Sequence, residues 1–498
     1  MSIQFIPNDP MAGAGAPGLG RKTPTKDRPK GRAGFTLFDP EPEGLHPPGS
    51  PEFLFWQCRE AALLAVAAWE RHAGPLRAWQ GKRRRLDLIQ NAVRQRERPP
   101  QPNAFYDRSG FLFFESTSSG KTTLSGASTD VVAHEVGHGL LDAIRPDLWD
   151  TPFLEVNAFH EAFGDCVALL TALGDAKTRT ALLAIGLGRK NFVETTAEEL
   201  SAAIRRLDPA HNAAEPRRAR NTLVWQLPTS LPADGGPGRL INESHSFARV
   251  FTGCFWDLLR NLLGSATTSK ALDAATRTAA ELLIRGAAGA PEEARFFQAV
   301  GRAMVLADEE DHAGVHHPAL RQAFAAHGIA LGSNAMLAPV ATLAGPSPSA
   351  EGGAARALAP ATRRDLMGRL GAGAHARMVV RRRDIGGTAV VQAVHQREVA
   401  LGAVSPRLEG VVVFAPEGVL VGSSGRRAAV LGALPERSAT TDEVLAYVDS
   451  LVTHGRIDYG GKAAARASSR SVSWHSHALR SIGGRRVLTR MRFACGGS

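Results

Sequence analysis

The chain has 498 residues, 44% of them hydrophobic, and a formal net charge of +11. This length and apolar content suffice for two or three globular domains with a sizeable core. No run approaches the roughly 18 consecutive apolar residues that would span a bilayer, and the opening residues lack a signal peptide's charged start and apolar stretch. We therefore expect a protein that is cytoplasmic as translated or is exported by a leaderless route.

The positive charge is concentrated towards the end of the sequence. Residues 331–498 hold 22 Lys or Arg and 11 Asp or Glu, whereas the two signs balance in residues 1–330. The arginines are spread singly among Ala and Gly with few aromatic residues between them, so arginine bias and a surface for a polyanion or protein partner both stay open. The cysteines lie far apart without a C-x-x-C pair, which suggests neither a disulfide framework nor a cysteine zinc site and favours free thiols; they are Cys58, Cys166, Cys254 and Cys495.

The first elements are an arm, a helix and strands. Residues 1–50 are rich in Pro and Gly and carry the basic run RKTPTKDRPKGR, which predicts a flexible arm. Ser50 followed by Pro51 is typical of a helix start, and FLFWQCREAALLAVAAWERHAG has the apolar spacing of a long helix. LDLIQNAV and AFYDRSGFLFFES then have the composition of strands, with a turn at 107–110. Residues 51–128 therefore hold one long helix and the strands that follow it.

Residues 129–330 are predicted to be mainly helical. One helix begins at Thr129 and ends before the proline of IRPD, and a second runs from about Glu155 through NAFHEAFGDCVALLTAL. A third spans about 245–264, and further helices fill 268–330.

The rest of the sequence changes character. Pro, Ala and Gly predominate over residues 331–355, which predicts a linker. Residues 356–498 mix strand-like runs such as GVVVFAPEGVLVG with one helix at TTDEVLAYVDSLVTHG. They predict a separate, small, basic α+β domain, and no motif in it indicates a function.

The helix from Thr129 contains the pattern VVAHEVGHGLLD. Residues four apart share one face of a helix, so His134 and His138 can offer two imidazole nitrogens to one ion. Glu135 then points near the ion without having to bind it. This is H-E-x-x-H, two zinc ligands with a carboxylate placed as general base. The alternative is an ordinary helix with two surface histidines.

The following helix offers a third ligand. In FHEAFGD, Glu161 and Asp165 lie four apart on one face, and their neighbours are apolar, which favours burial. Glu161 would bind the metal, and Asp165 would accept a hydrogen bond from the free ring nitrogen of a ligand histidine. A solvated acidic stripe is the other interpretation.

Taken together, these motifs resemble the thermolysin-like zinc metallopeptidases of the gluzincin group. HEVGH is followed by E-A-F-G-D at the family's distance, PNAFYD is similar to its substrate-holding edge strand, and TDVVAHE matches the run into its metal helix. ALRQAFAAHGI resembles the close of its catalytic domain, so the resemblance covers about residues 51–330. It implies an α+β, two-lobed fold with a mainly β N-terminal lobe and a mainly α C-terminal lobe.

The resemblance also implies an activity and site residues. It implies a hydrolase, a zinc endopeptidase with protein or peptide substrates, and the absence of G-x-M-E-N disfavours an aminopeptidase. It makes Glu135 the base, and it implies a preference for apolar residues after the cut bond. In the metal site it implies His134, His138 and Glu161 as ligands of one zinc ion per chain, with Asp165 hydrogen-bonded to a ligand histidine. His245 would donate a hydrogen bond to the oxyanion. The implied substrate-binding residues are Asn103 and Ala104 on the edge strand, Arg205 or Arg206, and Val131 and Ile204 in the apolar pocket.

The sequence departs from the family in three respects. Trp149 stands where the family has a tyrosine that contacts substrate. The family's cluster of calcium-binding acids does not follow Glu161, so no calcium site is evident. There is also no room for the usual inhibitory pro-segment, so activity must be controlled differently.

Two other hypotheses stay open. The zinc fold can persist as a catalytically weak or inactive scaffold whose basic C-terminal part binds a partner or polyanion. A self-processing enzyme would instead cut its own chain near residue 50 or near 345. Retention of Glu135 speaks against the scaffold, because a purely structural zinc site needs no base and usually has four protein ligands.

Overall fold

The computed structural model describes residues 2–331, 378–385, 388–423, 428–431, 437–460 and 475–495. Helices and several small sheets are mixed in this part of the chain, as the α+β prediction requires. None of its helices combines the length and apolar character needed to cross a bilayer. Of the predicted linker, only residue 331 falls within the described residues.

The prediction of a flexible arm is wrong. Strands β1 (Ile3–Phe5), β2 (Gly20–Lys22) and β3 (Gly34–Leu37) lie in this segment, and the apolar side chains of β1 are buried. The basic run is also held in place, because Lys22 donates to the buried carboxylate of Glu60 at 2.6 Å. Two features that composition does not reveal order this segment. Short apolar triplets lie between its prolines, and buried acids on the next helix bind its basic residues.

Helix α1 (Pro51–Ala73) begins as predicted, with the Ser50 hydroxyl accepting a hydrogen bond from Phe53 N at 3.1 Å. The strand predicted for LDLIQNAV is half right: β4 covers Arg85–Ile89, but Asn91 then caps the short helix α2 (Ala92–Arg96). The second predicted pair of strands is confirmed. It consists of β5 (Ala104–Tyr106) and β6 (Gly110–Phe113). A hairpin that was not predicted follows, formed by β7 (Glu115–Ser118) and β8 (Lys121–Leu124).

The predicted helical region forms the largest part of the core. Two of its helices pack very closely, because a Cβ atom on Gly137 would lie 2.8 Å from the Cα atom of Gly164. The elements are α3 (Thr129–Ile144), α4 (Leu154–Leu173), α5 (Ala176–Ile185), β9 (Thr195–Thr196), α6 (Glu198–Leu207), β10 (Arg217–Arg218), α7 (Ser244–Leu263), α8 (Ser269–Gly289), α9 (Phe296–His312) and α10 (His317–Ala326).

A second sheet follows the helices. Its strands run in the order β11-β12-β13-β17-β16-β15, with β14 paired to β13. The elements are β11 (Met378–Ile385), β12 (Thr388–Ala400), β13 (Val411–Ser423), β14 (Ala428–Leu431), helix α11 (Arg437–Thr453), β15 (Ile457–Asp458), β16 (His477–Ile482) and β17 (Arg485–Arg490). The predicted mixture of strands with one helix is therefore confirmed within the described residues.

The prediction that this part is separate is wrong. After β17 the chain leaves the second sheet and adds strand β18 (Phe493–Ala494) to the edge of β5, which gives a five-stranded sheet ordered β18-β5-β6-β4-β3. Arg295, ahead of α9, also pairs with Glu443 of α11 at 2.7 Å. Composition indicated a linker and a second unit, but pairing between strands so distant in sequence leaves no signal in composition.

Candidate metal centre

Helix α3 carries both histidines of the HEVGH pattern into the protein interior. The Ser128 hydroxyl caps this helix by accepting from Val131 N at 3.3 Å. The rings of His134 and His138 lie 4.8 Å apart at right angles, with exposures of 1% and 0%. The alternative of two surface histidines is therefore wrong, because these imidazoles are enclosed by the packing of α3 against α4.

Glu161, on helix α4, lies where the ring nitrogens converge. Its Oε2 atom is 3.2 Å from Nε2 of His134 and 3.6 Å from Nε2 of His138. All three side chains are buried, which rules out a solvated acidic stripe. The donor atoms of His134, His138 and Glu161 lie within 4.8 Å of one another, so together they could hold a metal ion.

Several buried polar atoms in and around this group lack a bonding partner in the described part of the chain, and a metal ion with its bound water would supply one. Both ring nitrogens of His138 and both carboxylate oxygens of Glu135 are buried without a hydrogen-bond partner among the described residues. Buried polar groups are normally bonded, so such a concentration calls for a missing partner. Asp165 lies on the other side of His134, with Oδ1 2.9 Å from Nδ1, and thereby directs Nε2 towards Glu161. Two imidazoles and a carboxylate are a donor set that suits a divalent cation.

The protonation of two of the three side chains, His138 and Glu161, favours metal binding. Burial lowers the pKa of His138 to about 4, so this ring is neutral and can act as a ligand. Burial alone would raise the pKa of Glu161, but His245 and His138 hold it well below its usual range, so the carboxylate is ionised. Burial raises the pKa of Glu135 to about 8.

His245 reaches the same site from the start of α7. Its Nε2 atom lies 3.1 Å from Oε2 of Glu161, and its Nδ1 atom lies 2.7 Å from Oε1 of Glu243. Burial alone would lower the pKa of His245, but the two carboxylates raise it to about 10, so the ring is charged at neutral pH. The sequence motifs do not identify an acid that orients this histidine. Glu243 is that acid, and its position two residues earlier in NESH was the available signal.

The arginine beside the site is Arg217, which the sequence analysis missed. Its Nε atom donates to Oδ1 of Asp165 at 3.0 Å, and Nη2 lies 3.3 Å from Nδ1 of His134. The predicted Arg205 is exposed instead, and its Nε atom donates to the carbonyl of Ala214 at 2.8 Å. Arg206 bonds to Ser118 instead. Arg205 and Arg206 lie in the last turn of the amphipathic helix α6 and on its polar side. Arg217 could not be found from the sequence, because the two-residue strand β10 has no repeating pattern.

A cavity of about 400 Å³ is lined by Arg217, His245 and Cys495 on the side of the metal group. Leu200 and Ile204 of α6 and Ile241 form part of its apolar wall, and His245 also borders it. Ile204 is therefore on the cavity as predicted, whereas Val131 is buried in the core and does not line it. Val131 of the metal helix α3 was predicted to line the apolar pocket, but residues of α6 form this part of the cavity wall.

The predicted substrate strand has an occupant from the chain itself. We call residues 490–495 the returning segment. Within it, Cys495 N donates to the carbonyl of Ala104 at 2.8 Å, and Ala494 pairs with Phe105. Trp149 Nε1 donates to the Arg490 carbonyl at 3.2 Å.

Asn103, the other residue predicted for the substrate strand, directly precedes β5. Its side-chain oxygen accepts from Ala104 N at 2.9 Å, and its carbonyl accepts from the Ser125 hydroxyl at 2.8 Å. Asn103 therefore fixes the backbone geometry of the strand edge that Ala104 presents.

Phe493 fills the space between the edge strand and the histidines. Its ring stacks on His138 with 4.8 Å between centroids and on His160 with 4.1 Å. His160 is fully buried and neither of its ring nitrogens has a bonding partner among the described residues. Sequence reasoning had no means of connecting His160 with an aromatic side chain more than 300 residues away.

Comparison with known proteins gives no family. No protein-family model matches the chain, and none of the curated proteins searched does.

Proposed function

We propose that this protein is a zinc-dependent endopeptidase of the thermolysin-like type. One observation carries the proposal: two imidazoles and the Glu161 carboxylate converge in a buried site, and an unbonded carboxylate, Glu135, lies beside them. A structural zinc site has no use for that additional carboxylate. Peptide hydrolysis does, because it requires a group that moves a proton between the attacking water and the departing amine.

The side chains of the site have complementary tasks in this proposal. A bound zinc ion would supply a Lewis acid that lowers the pKa of a coordinated water towards about 7. Glu135 would accept a proton from the attacking water and pass it to the leaving nitrogen. Burial raises its pKa, and the positive charge of a bound zinc ion would oppose that shift and favour the ionised, basic form. His245, charged and held by Glu243, would donate to the oxygen on which negative charge develops.

The cavity supports a preference for apolar residues after the cut bond. Burying a side chain against Leu200, Ile204 and Ile241 gains about 25 cal/mol for each Å² of apolar area. A charged side chain packed against this wall would lose hydration there. Charged residues such as Glu215, Arg249 and Arg456 line other parts of the cavity, so the preference comes from the apolar wall and not from the cavity as a whole. We propose cleavage on the amino side of Leu, Ile, Phe or Val.

The arrangement of elements is compatible with the two-lobed fold. A sheet contributed mainly by residues 34–113 precedes a helical region, and β5 borders the helices that carry the ligands. The two-lobed, thermolysin-like arrangement is part of the proposal, as is zinc as the metal.

The test compares Glu135→Gln with the wild type in metal content and in digestion of a peptide library. We expect full zinc occupancy and loss of activity, because Glu135 is not a ligand. Glu281→Gln, on α8 and away from the cavity, is the matched control and should behave like the wild type. A Glu135→Gln protein that digests peptides at the wild-type rate would refute the proposal, and cuts before Lys, Arg, Asp or Glu would refute the pocket assignment.

One observation keeps the scaffold alternative in view. The edge of β5 that would hold an extended peptide is paired with β18. Either the returning segment can leave the cleft, or the site does not process peptides.

A further inference from the structure

The returning segment lies along the strand edge that an extended peptide would use. Peptides commonly bind enzymes and other domains by adding a strand to an exposed sheet edge. Here Phe493 pairs with Tyr106 and Ala494 with Phe105 in antiparallel register, and Cys495 N donates to the Ala104 carbonyl. The segment and a substrate strand therefore require the same backbone groups, and only one of them can be bound at a time.

Specific polar contacts anchor the segment. The Arg490 side chain is 8% exposed; its Nε atom donates to the Trp149 carbonyl at 3.0 Å, and Nη2 donates to Tyr447 Oη at 2.9 Å and to Asn157. Its backbone N donates to Asp150 at 2.9 Å. A buried guanidinium is costly unless its donors are bonded in this way. These contacts therefore fix the segment in one specific position in the cleft.

This position brings a thiol next to His134, one of the three side chains that could hold the metal, and next to Glu135. The Cys495 Sγ atom and donor atoms of His134 and Glu135 all lie within 4.8 Å of one another, and the cysteine is 2% exposed. Arg217 Nη2 lies 3.4 Å from the sulfur and supplies positive charge beside it. A catalytic zinc site has three protein ligands and one open position, and a cysteine thiolate is among the ligands that zinc prefers.

We propose that Cys495 is the fourth protein ligand of the metal held by His134, His138 and Glu161, and that the returning segment thereby keeps the peptidase latent. This inference rests on the proposed function. On metal binding the thiol loses its proton to solvent and the sulfur takes the position that water needs. The segment blocks catalysis twice, at the metal and at the edge of β5, and it provides the control that an N-terminal pro-segment provides elsewhere.

Cobalt provides a direct readout of the ligand. We would replace the metal of the full-length protein with Co²⁺ and record its absorption spectrum, because a thiolate ligand produces an intense near-ultraviolet charge-transfer band that nitrogen and oxygen ligands do not. We expect the band in the wild type and in Cys58→Ala, which alters a buried cysteine of α1. It should be absent from Cys495→Ser and Cys495→Ala, although both bind cobalt.

The outcomes separate the two proposals. Cobalt bound by the wild type without the thiolate band would overturn the ligand assignment and leave the proposed peptidase intact. A wild type that binds no cobalt and no zinc would overturn both. Circular dichroism shows whether each variant is folded, and Cys495→Ala serves if Cys495→Ser is not.

Latency is tested by activity on a peptide. The tethered segment competes with substrate at an effective concentration on the order of millimolar, and loss of the sulfur ligand removes one of its two blocking contacts and weakens that competition. We therefore expect kcat/KM to rise about tenfold or more in Cys495→Ser relative to the wild type and to Cys58→Ala. An unchanged kcat/KM in active, folded Cys495→Ser and Cys495→Ala would overturn latency. Inactivity of every cysteine variant despite bound zinc would overturn latency and favour the scaffold.

Discussion

The floor and one wall of the metal cleft are built in opposite ways. The floor consists of α3 and α4, which follow each other along the chain and supply His134, His138 and Glu161. The wall is the returning segment, which reaches the cleft from the second sheet through a strand of two residues. Packing between long helices holds the floor, whereas the polar contacts of Arg490, one short strand and the buried ring of Phe493 hold the wall. Such a difference permits local release of the wall while the floor stays folded.

The first prediction concerns the floor and has the largest expected effect. Glu161→Gln removes a charged ligand, so metal affinity should fall by more than the roughly 10 to 100-fold that is typical for loss of an outer partner. Titration against a competing chelator measures this, with Glu281→Gln as control. Unchanged affinity would mean that the floor does not bind the metal, and the contrast with the wall would disappear.

The second prediction addresses the support of the floor. Asp165→Ala leaves the three ligands but removes the acceptor for Nδ1 of His134, so metal affinity or activity should fall about 10 to 100-fold. The same titration measures the change. Affinity equal to that of the wild type would show that packing alone orients this histidine.

The third prediction tests how tightly the floor is packed. A Cβ atom at Gly164 would lie 2.7 Å from Nδ1 of His134, so Gly164→Ala should lower the free energy of unfolding by about 1–3 kcal/mol through overpacking. Gly289→Ala is the matched control, since its nearest neighbour would be at an ordinary 3.6 Å. Urea denaturation of the metal-free proteins compares them. Equal stability of the two variants would show that α3 and α4 can move apart without cost.

The fourth prediction concerns the wall and has the smallest effect. Trp149→Phe keeps an aromatic ring next to Phe493 but loses the hydrogen bond to the Arg490 carbonyl, which is worth about 0.5–1.5 kcal/mol. Metal affinity in the metal-loaded protein should change less than in Asp165→Ala. A loss as large as that of Glu161→Gln would mean that wall and floor are a single unit.

The sequence was most informative in the helices, where the spacing of apolar and ligand residues follows the helical repeat. The bounds of α3 and α4 and the convergence of the HEVGH histidines with Glu161 could be predicted because helical periodicity is local. Arg217 and Glu243 could not, since a two-residue strand and a helix cap impose no repeating pattern. Composition was misleading for the first 50 residues, where buried acids such as Glu60 order a basic, proline-rich run. In the second sheet, burial of Arg456 and Arg490 shows that part of the positive charge is used inside the fold rather than offered to a polyanion.

Attachment of β18 to β5 has a consequence for biosynthesis. Trp149 and Arg490, which bond to each other, are 341 residues apart in the chain. At ribosomal elongation rates of about 5–20 residues per second, roughly 20 to 70 seconds separate their synthesis. Helices α3 and α4 can fold during that interval, because their contacts are local, while the edge of β5 waits uncovered. An unpaired strand edge is a site of aggregation and of pairing with other chains. Each newly made molecule therefore passes through a period in which its edge strand is open to the nascent chains and peptides around it, and a chaperone that covers β5 would protect it until residue 495 has been made.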